Sequence, residues 1–259
     1  MIGKTISHYK IIEKLGEGGM GIVYKAEDIK LKRNVALKFL PPSFSLDDEA
    51  KQRFIHEAQA ASALDHLSIC TIHEIDENED SQLFIAMTCY EGETLKKKIE
   101  TEVENEVEIE TEIERLDIDE AIEIILQVAK GLSAAHEKGI VHRDIKPAKI
   151  LITDQNEVKI LDFGLAKVAG QTQLTQMGST VGTAAYMSPE QARGEKVDER
   201  TDIWSLGVVL YEMLTGKLPF ESEYEQAMVY SILNEEPEKV RSLNEDVPEE
   251  LEEIVNKCI

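Results

Sequence analysis

The sequence predicts an α+β fold in two lobes, a small antiparallel sheet with one key helix followed by a larger, mainly helical lobe. Three observations support this. Strand-like apolar segments fill the first third, helical periodicity fills most of the remainder, and TDIWSLGVVLYEML at 201–214 is apolar on nearly all sides. The change of character lies between Met87 and Gly92, so we place the lobes at residues 1–92 and 93–259.

The first lobe begins with strands. A helix follows them, with Ser45 as its N-cap and Asp48 three residues later, an arrangement typical of a capping box. Its apolar residues recur at helical spacing as far as Leu64, and a further apolar strand, LFIAM, ends at Met87. The first three predicted strands contain YKII (9–12), GIVYK (21–25) and NVALKFL (34–40).

The second lobe is predicted to be helical around a buried centre. Asp117 with Glu120 marks the start of one helix, and Gly139 marks its end. Short strands follow at ILIT (150–153) and VKIL (158–161), before the apolar helix at 201–214. A cleft between two such lobes is a natural ligand site.

Charge and composition exclude several classes of protein. With 28 basic and 51 acidic residues the chain has a net charge of −23, which argues against nucleic-acid binding because that requires a basic surface. Three scattered cysteines are too few for a disulfide framework or a zinc site and favour a reducing compartment. No apolar run approaches the ~20 residues that cross a bilayer. We therefore expect a cytoplasmic location and no membrane segment in this chain.

The segment ETEVENEVEIETEIE, residues 100–114, has glutamate at every second position, eight acids without a base. As a strand it would place the glutamates on one face and the valines and isoleucines on the other. Because such a ribbon would repel itself, we favour the alternative, a solvated low-complexity insertion at about 100–115. We assign it no chemistry.

Gly16, Gly18 and Gly21 form the pattern GxGxxG. A dinucleotide-binding turn would need a helix that starts inside the pattern, whereas Gly21 runs directly into the strand-like residues 22–25. The glycines therefore belong to a hairpin turn, in which missing side chains let the backbone approach phosphate groups. An ordinary flexible hairpin explains the pattern equally well.

Lys38 and Glu57 are two charges in apolar surroundings. Lys38 lies in the middle of the strand VALKFL, which is costly unless its ammonium meets an anion. Glu57 falls on the apolar stripe of the predicted helix. Because both side chains are predicted to face the protein interior, we expect them to pair. The alternative is that each reaches solvent independently.

Two further acids, Asp162 and Asp144, are candidates for chemistry. Asp162 begins the sequence DFG directly after an apolar strand and suits a hard cation such as Mg²⁺. Asp144 lies in HRDIKP, with Lys146 two residues later. A carboxylate there can accept a proton or orient a hydroxyl, and the ammonium can neutralise charge on a transferring group. Structural loops also contain such residues, so their meaning depends on the other motifs.

The motifs together resemble one family. GEGGMGIV, VALK, Glu57, HRDIKP, DFG, SPE and DIWSLG follow the order and rough spacing of eukaryotic-like protein kinases, from about His8 to Ile259. HRDIKP resembles the serine/threonine branch, and GTAAYMSPEQARG is similar to its bacterial members. The resemblance implies a two-lobed protein-kinase-like fold and transfer of the ATP γ-phosphate, with Mg²⁺, to serine or threonine hydroxyls of protein substrates.

The resemblance also implies roles for individual residues. Lys38, paired to Glu57, would bind the α- and β-phosphates, and Asp162 would hold Mg²⁺. Asp144 would orient the substrate hydroxyl, while Lys146 would steady the γ-phosphate.

The ATP site implied by the resemblance lies at the lobe boundary. Val23 and Ala36 would sandwich the adenine, with Met87 as the gatekeeper. Thr88 stands where the family usually has glutamate, a mild change because the contact there is through the main chain. The implied nucleotide-binding residues are Leu15, Gly16, Glu17, Gly18, Gly19, Gly21, Val23, Ala36, Lys38, Met87, Thr88, Tyr90, Leu151 and Asp162.

Further implied features concern support and control of the site. Thr183 would bond to the catalytic Asp144, and Asp202 would brace the backbone of the catalytic loop. Arg143 suggests control by phosphorylation, because its cation needs an anion to dock against. Phosphorylation between two copies of the chain would require a dimer. The candidate acceptors are Thr172, Thr175, Ser179 and Thr180.

The sequence departs from the family pattern in two places. Lys149 replaces an asparagine whose carbonyl oxygen binds a second Mg²⁺, and an ammonium has no lone pair to offer. It could bring its own charge to the phosphates, or it could block the metal. The family pattern also continues past the final residues IVNKCI, through helices with an arginine that pairs with the glutamate at position 190. That arginine is absent here, so we expect a truncated helical lobe with part of its core face exposed. Two functions stay open, an active serine/threonine protein kinase and a pseudokinase that binds ATP or a partner.

Overall fold

The computed structural model describes residues 1–18, 21–41, 48–104, 109–163, 184–222 and 224–259, and it describes their side chains except at 48–50, 101–104 and 109–113. Some residues of the sequence analysis lie outside these ranges. They are Gly19, Ser45, Thr172, Thr175, Ser179, Thr180 and Thr183.

The first lobe is a six-stranded antiparallel sheet with the spatial order β1-β2-β3-β4-β6-β5. Helix α1 (Asp48–Ser62) lies between β4 and β5 in the chain. The predicted strands and helix of this lobe are confirmed. The strands are β1 (Thr5–Ile6), β2 (Tyr9–Gly18), β3 (Gly21–Asp28), β4 (Arg33–Phe39), β5 (Ile72–Glu77) and β6 (Leu83–Thr88).

Apolar side chains cover both faces of this sheet. On one face Phe39 and Phe84 belong to an aromatic cluster, with ring centroids 5.4 Å apart. On the other face α1 buries Phe54 and Ala58 against Ile85 and its neighbours. Each fully buried large side chain of this kind stabilises the fold by about 1.5–3 kcal/mol. Burial on both faces explains why residues 35–39 of β4 and 83–87 of β6 are all buried, with no alternation between buried and exposed positions.

The second lobe is mainly helical and includes a three-stranded sheet of order β11-β10-β7. Asp117 caps α3 by accepting hydrogen bonds from two backbone amides, as predicted. No helix in the described ranges has both the length and the apolar character that crossing a bilayer requires. The elements are β7 (Gly92–Thr94), α2 (Leu95–Ile99), α3 (Ile118–His136), β10 (Ile150–Thr153), β11 (Val158–Ile160), α4 (Pro189–Ala192), α5 (Arg200–Thr215), α6 (Glu225–Asn234), α7 (Val240–Leu243) and α8 (Glu249–Cys258).

Helix α5 lies at the centre of the second lobe. All of its residues from Gly207 to Thr215 are buried, which confirms the prediction of a central buried helix. Helix α8 packs so closely that a Cβ atom on Gly207 would lie 2.4 Å from the Cβ of Cys258. A larger residue at 207 would push α8 away from its support, because protein interiors leave no room for an extra atom.

The acidic segment forms a two-stranded antiparallel ribbon of β8 (Glu100–Glu104) and β9 (Ile109–Ile113), so the strand alternative, which we did not favour, is the one observed for these residues. Repulsion within the ribbon would require glutamates to pair with glutamates. Among the described backbone pairs of this ribbon, no glutamate has another glutamate as its cross-strand partner. The pairs include Glu100 with Ile113, Glu102 with Thr111 and Glu104 with Ile109.

A groove of about 360 Å³ lies on the second lobe, where α4, the start of α5 and the end of α8 meet. Glu190, Arg200, Trp204 and Cys258 contribute to its lining. Most of the residues that line the groove are charged, so the exposed core face expected beside Glu190 stays a prediction. At the side of this groove Trp204 lies parallel to Phe220, with ring centroids 6.3 Å apart.

Candidate active site

The two lobes meet at a buried ion pair. Lys38 on β4 is only 3% exposed, and its Nζ lies 2.8 Å from Oδ1 of Asp162, which follows β11. Alternation along β4 directs Lys38 to the same face as Ala36 and Leu40, the face covered by α1. The predicted need for an anion at Lys38 is confirmed, because an ammonium buried without one would cost several kcal/mol.

Lys149 binds the second oxygen of the same carboxylate. Its Nζ lies 2.5 Å from Oδ2 of Asp162. The β10–β11 pairing explains this position, since the amide of Leu161 donates a 2.8 Å hydrogen bond to the carbonyl of Lys149 and so brings residues 149 and 162 together. Asp162 has a φ of 63°, a left-handed conformation that is uncommon outside glycine and occurs at functional sites.

These charges control one another's protonation. Burial by itself would raise the pKa of Asp162, but Lys149 and Lys38 outweigh it and hold that pKa well below its usual range. Burial lowers the pKa of Lys38, and Asp162 offsets this only in part. Burial also acts to lower the pKa of Lys149, yet the charges of Asp162 and Asp144 give a net upward shift. Asp162 is therefore an ionised carboxylate between two ammonium groups.

The predicted pair of Lys38 with Glu57 is wrong for this structure. Among the described residues, Lys38 has its ion pair with Asp162, and Oε1 of Glu57 lies 3.9 Å from Nη1 of Arg143. Both charges point inward, as expected, but the end of β11 brings a carboxylate to Lys38. Helix α1 meanwhile holds Glu57 near the guanidinium of the catalytic loop.

Asp144 and Lys146 form a second ion pair in the catalytic loop. Nζ of Lys146 lies 2.8 Å from Oδ1 of Asp144. Oδ2 of Asp144 is buried and receives no hydrogen bond from the described part of the chain. A carboxylate in this state has an acceptor ready for a hydroxyl proton.

Asp202, at the start of α5, braces the catalytic loop as predicted. This fully buried carboxylate accepts hydrogen bonds from the amides of His142 and Arg143, at 2.8 and 2.7 Å. Its Oδ2 also lies 2.8 Å from Nε2 of His136. These bonds hold Arg143 at a φ of 67°, a left-handed conformation that has to be held by its surroundings.

His142, which had no role in the sequence prediction, links the loop of Asp144 to the segment of Asp162. Its buried ring accepts a hydrogen bond from the amide of Asp144 at Nδ1 (3.2 Å) and donates one from Nε2 to the carbonyl of Leu161 (2.8 Å). The ring also makes an edge contact with Phe163, with centroids 4.8 Å apart. The signal in the sequence was a histidine that follows the apolar pair 140–141 and precedes a charged loop.

Gln191 was also missed. Its Nε2 donates a 2.8 Å hydrogen bond to the carbonyl of Arg143, and the residue completes a capping box with Ser188 at the start of α4. The pattern Ser-Pro-Glu-Gln, with glutamine three residues after serine, is a capping-box signal that could have identified it.

The residues predicted to surround the adenine come together on three strands. Ala36 is paired with Met87 across β4 and β6, and Val23 is paired with Lys38 across β3 and β4. These three apolar side chains and Tyr90 belong to one cluster, on the sheet face that carries Lys38. Thr88 ends β6 at the side of this cluster, and its amide bonds to the carbonyl of Thr71.

The other residues of the implied nucleotide site lie on β10 and β2. Leu151 follows Lys149 and Ile150, on β10, and is partly buried. Leu15 and Glu17 lie on the exposed part of β2, where Glu17 pairs with Lys14.

The glycines lie where β2 passes into β3, which confirms the hairpin and excludes a dinucleotide-binding helix at this place. Gly21 has a φ of 112°, and a Cβ atom there would lie 1.9 Å from the carbonyl oxygen of Phe39, so glycine is required. At Gly16 and Gly18 a Cβ atom would meet no described atom within 4 Å.

The side chains at Asp162 fit one magnesium ion better than two. The described residues hold no group of three or more histidine, cysteine or acidic side chains able to bind a metal by themselves. A magnesium ion bound through one carboxylate and substrate phosphates needs no such group. Lys149 cannot be a ligand, because an ammonium has no acceptor.

Comparisons with known proteins agree with this geometry. The family model "Protein kinase domain" matches residues 9–259. The chain is 41% identical to the serine/threonine-protein kinase PrkC of Bacillus subtilis over 259 residues, which covers 100% of this chain and 38% of PrkC. It is 38% identical to the serine/threonine-protein kinase PknB of Mycobacterium leprae over 255 residues, which covers 97% of this chain and 39% of PknB. The chain thus spans less than two fifths of the length of these relatives.

Solved structures give the same result for the fold. The kinase domain of PknI from Mycobacterium tuberculosis is similar with a TM-score of 0.73 and 26% identity, covering 100% of this chain and 89% of that one. A single-substitution mutant of the same PknI domain is similar with a TM-score of 0.70 and 27% identity, covering 95% of this chain and 85% of that one. The predicted two-lobed α+β fold is therefore confirmed, and this chain belongs to the protein kinase domain family, with relatives among the bacterial serine/threonine kinases.

Proposed function

We propose that this chain transfers the γ-phosphate of ATP to serine or threonine hydroxyls of proteins. The observation that carries the proposal is the 2.8 Å contact of Lys38 with Asp162, which joins the glycine-rich lobe to the lobe of the catalytic loop. The serine/threonine kinases among the relatives support the same reaction.

The nucleotide would lie between the lobes. Val23, Ala36 and Met87 form an apolar surface on the sheet face that carries Lys38, which suits an adenine ring. Lys38 and Lys149 supply positive charge next to it, which suits the phosphates. The backbone at Gly16 and Gly18 can come close to them, because a Cβ atom at either position would meet no described atom within 4 Å.

Asp144 is the acceptor of the hydroxyl proton in this proposal. The hydroxyl oxygen of the protein substrate forms a bond to the γ-phosphorus, the bond from phosphorus to the β,γ-bridging oxygen breaks, and ADP leaves with the electron pair. The hydroxyl proton passes to Oδ2 of Asp144, the buried oxygen without a described partner, while Lys146 on Oδ1 balances charge. Asp162 would hold Mg²⁺, which neutralises charge on the phosphates when bound.

A pseudokinase is the second candidate function, and one observation favours it. Lys149 sits on Oδ2 of Asp162, at the place where a metal-binding asparagine is expected. If this ammonium keeps the nucleotide phosphates or the metal out of position, the chain would bind ATP, or a partner, without transferring phosphate.

The first experiment combines ATP binding with phosphate transfer. We expect ATP with Mg²⁺ to raise the melting temperature, and labelled phosphate from γ-labelled ATP to reach the chain or a generic serine/threonine substrate. Lys38→Met should abolish transfer and leave the fold intact, since it removes the cation from the phosphates. Lys130→Met, the same change on the exposed side of α3, is the matched control and should retain transfer.

Each result selects one function. A melting shift without any transfer would establish the pseudokinase, and a folded chain without a shift would exclude both candidates. Transfer by Lys38→Met at the level of the control would contradict the proposed site.

Control of the site by phosphorylation stays a prediction. Arg143 contacts Glu57 at 3.9 Å, so a phosphate on a nearby segment would compete for the same guanidinium. The predicted acceptors Thr172, Thr175, Ser179 and Thr180, the role of Thr183, a dimer and a cytoplasmic location are parts of the same proposal. Mass spectrometry of the chain after incubation with ATP tests the acceptors directly.

A further inference from the structure

The nucleotide site contains more cations than its acids neutralise. Its described ion pairs join three ammonium groups, those of Lys38, Lys146 and Lys149, to only two carboxylates, those of Asp144 and Asp162. The side chains of Lys149 and Asp162 are only 14% and 13% exposed, so water screens this excess poorly. In a chain with a net charge of −23, a buried local excess of positive charge indicates a polyanionic ligand.

Lys149 is held rigidly where it can meet that ligand. Its backbone carbonyl is bonded to the amide of Leu161, and its Nζ lies 2.5 Å from Oδ2 of Asp162. Both ends of the side chain are therefore fixed, one by the β10–β11 hairpin and one by the carboxylate. A cation held in this way needs little reorganisation when phosphate oxygens arrive.

The same contact limits the metal chemistry of Asp162. A carboxylate has about four lone-pair positions, so one metal ion can join the two ammonium groups. A second ion would need another oxygen ligand at position 149, where the side chain is a cation that repels it.

We propose that the ammonium of Lys149 takes the place of a second divalent cation in the nucleotide site, so that this chain binds ATP with less dependence on divalent metal. The inference rests on the proposed ATP-binding function. In this proposal Lys149 contacts both Asp162 and the bound phosphates. An asparagine at position 149 would not allow ATP to bind with reduced dependence on divalent metal.

The test measures ATP affinity by isothermal titration calorimetry, first in EDTA and then at rising Mg²⁺. In EDTA, Lys149→Met should weaken ATP binding by roughly ten- to hundredfold, the range for loss of one hydrogen bond to a charged group. Lys149→Arg should stay within a few-fold of the wild-type chain, because it keeps the charge. Lys130→Met, an exposed lysine on α3, should leave the affinity unchanged.

Lys149→Asn provides an independent comparison. It should bind ATP as weakly as Lys149→Met in EDTA, and then gain at least tenfold more affinity than the wild-type chain as Mg²⁺ rises, because the amide oxygen restores a metal ligand. The melting temperature without nucleotide shows whether each variant is folded. If either Lys149→Met or Lys149→Asn does not fold, the remaining variant still tests the proposal.

Failure of this inference differs from failure of the proposed function. If the wild-type chain and Lys149→Met bind ATP equally in EDTA, or if Lys149→Asn follows the wild-type dependence on Mg²⁺, the role assigned to Lys149 is excluded while ATP binding stands. If the folded wild-type chain binds no ATP with or without Mg²⁺, both proposals are excluded.

Discussion

Asp162, which is largely buried, and Glu212, which is fully buried, are two carboxylates of the second lobe in opposite surroundings. Asp162 lies between the ammonium groups of Lys38 and Lys149, which hold its pKa below the usual range although burial opposes them. Glu212 on α5 is 3% exposed and accepts a 2.7 Å hydrogen bond from the hydroxyl of Tyr186. Burial raises the pKa of Glu212 to about 7, further supported by the charge of Glu100 and only partly opposed by the hydrogen bond.

The difference distinguishes a carboxylate of the candidate active site from one that serves only to hold the fold together. A carboxylate stays charged inside a protein only where cations or donors replace its water, and Asp162 has two cations close by. Glu212 has a neutral donor and an acid, so its proton is retained towards neutral pH. Three predictions test this contrast, and each replaces a carboxylate by its amide.

Asp162→Asn should have the largest effect. The substitution removes the anion between Lys38 and Lys149, and loss of one partner from a buried ion pair costs about 3–5 kcal/mol. We expect the midpoint of urea unfolding to fall accordingly and phosphate transfer to disappear. Unchanged stability would show that the two ammonium groups do not depend on this carboxylate.

Asp144→Asn should lower the rate of phosphate transfer far more than the affinity for ATP. The amide cannot take the proton at Oδ2, so the rate of phosphate transfer should fall by about 10²- to 10⁴-fold. ATP affinity should change little, because Asp144 pairs with Lys146 and not with Lys38. Calorimetry and transfer of labelled phosphate separate the two quantities, and an equal loss of both would contradict the division of roles.

Glu212→Gln should have the smallest effect. At neutral pH it should raise the free energy of unfolding, whereas Asp162→Asn should lower it. The native carboxyl, with a pKa of about 7 against an ordinary value of 4.5, binds more protons than the unfolded one between these values. The free energy of unfolding of the wild-type chain therefore falls as pH rises through this range. Glutamine keeps the acceptor for Tyr186 and removes this loss, so the variant should gain up to about 3 kcal/mol above pH 7.

Urea unfolding at several pH values checks this prediction. The advantage of Glu212→Gln over the wild-type chain should shrink towards pH 4.5. Parallel stability curves for the two chains would mean that the carboxyl of Glu212 titrates normally.

Patterns of local sequence predicted the elements and the position of the charges. The cap at Asp117, the buried helix α5 and the inward direction of Lys38 and Glu57 follow from spacing alone, because helical and strand periodicity determines which side chains share a face. The brace at Asp202 was found through the family resemblance, since no local pattern shows that its carboxylate meets the backbone at 142–143.

Local patterns did not predict partners that come together only in the folded chain. Lys38 meets Asp162 rather than Glu57 because the end of β11 reaches β4, a tertiary distance that periodicity does not contain. His142 was missed because it links its own loop to the carbonyl of Leu161, which is distant in the sequence. The acidic ribbon was misjudged because repulsion depends on the register of the two strands. The observed register pairs each described glutamate with a residue of another type.

A crystal structure with a non-hydrolysable ATP analogue and Mn²⁺, located by anomalous scattering, tests the central claim most directly. We expect the triphosphate between the lobes, in contact with Lys38, one manganese ion at Asp162, and the ammonium of Lys149 between that carboxylate and the phosphates. Two manganese ions per nucleotide, or Lys149 turned out into solvent, would contradict the account.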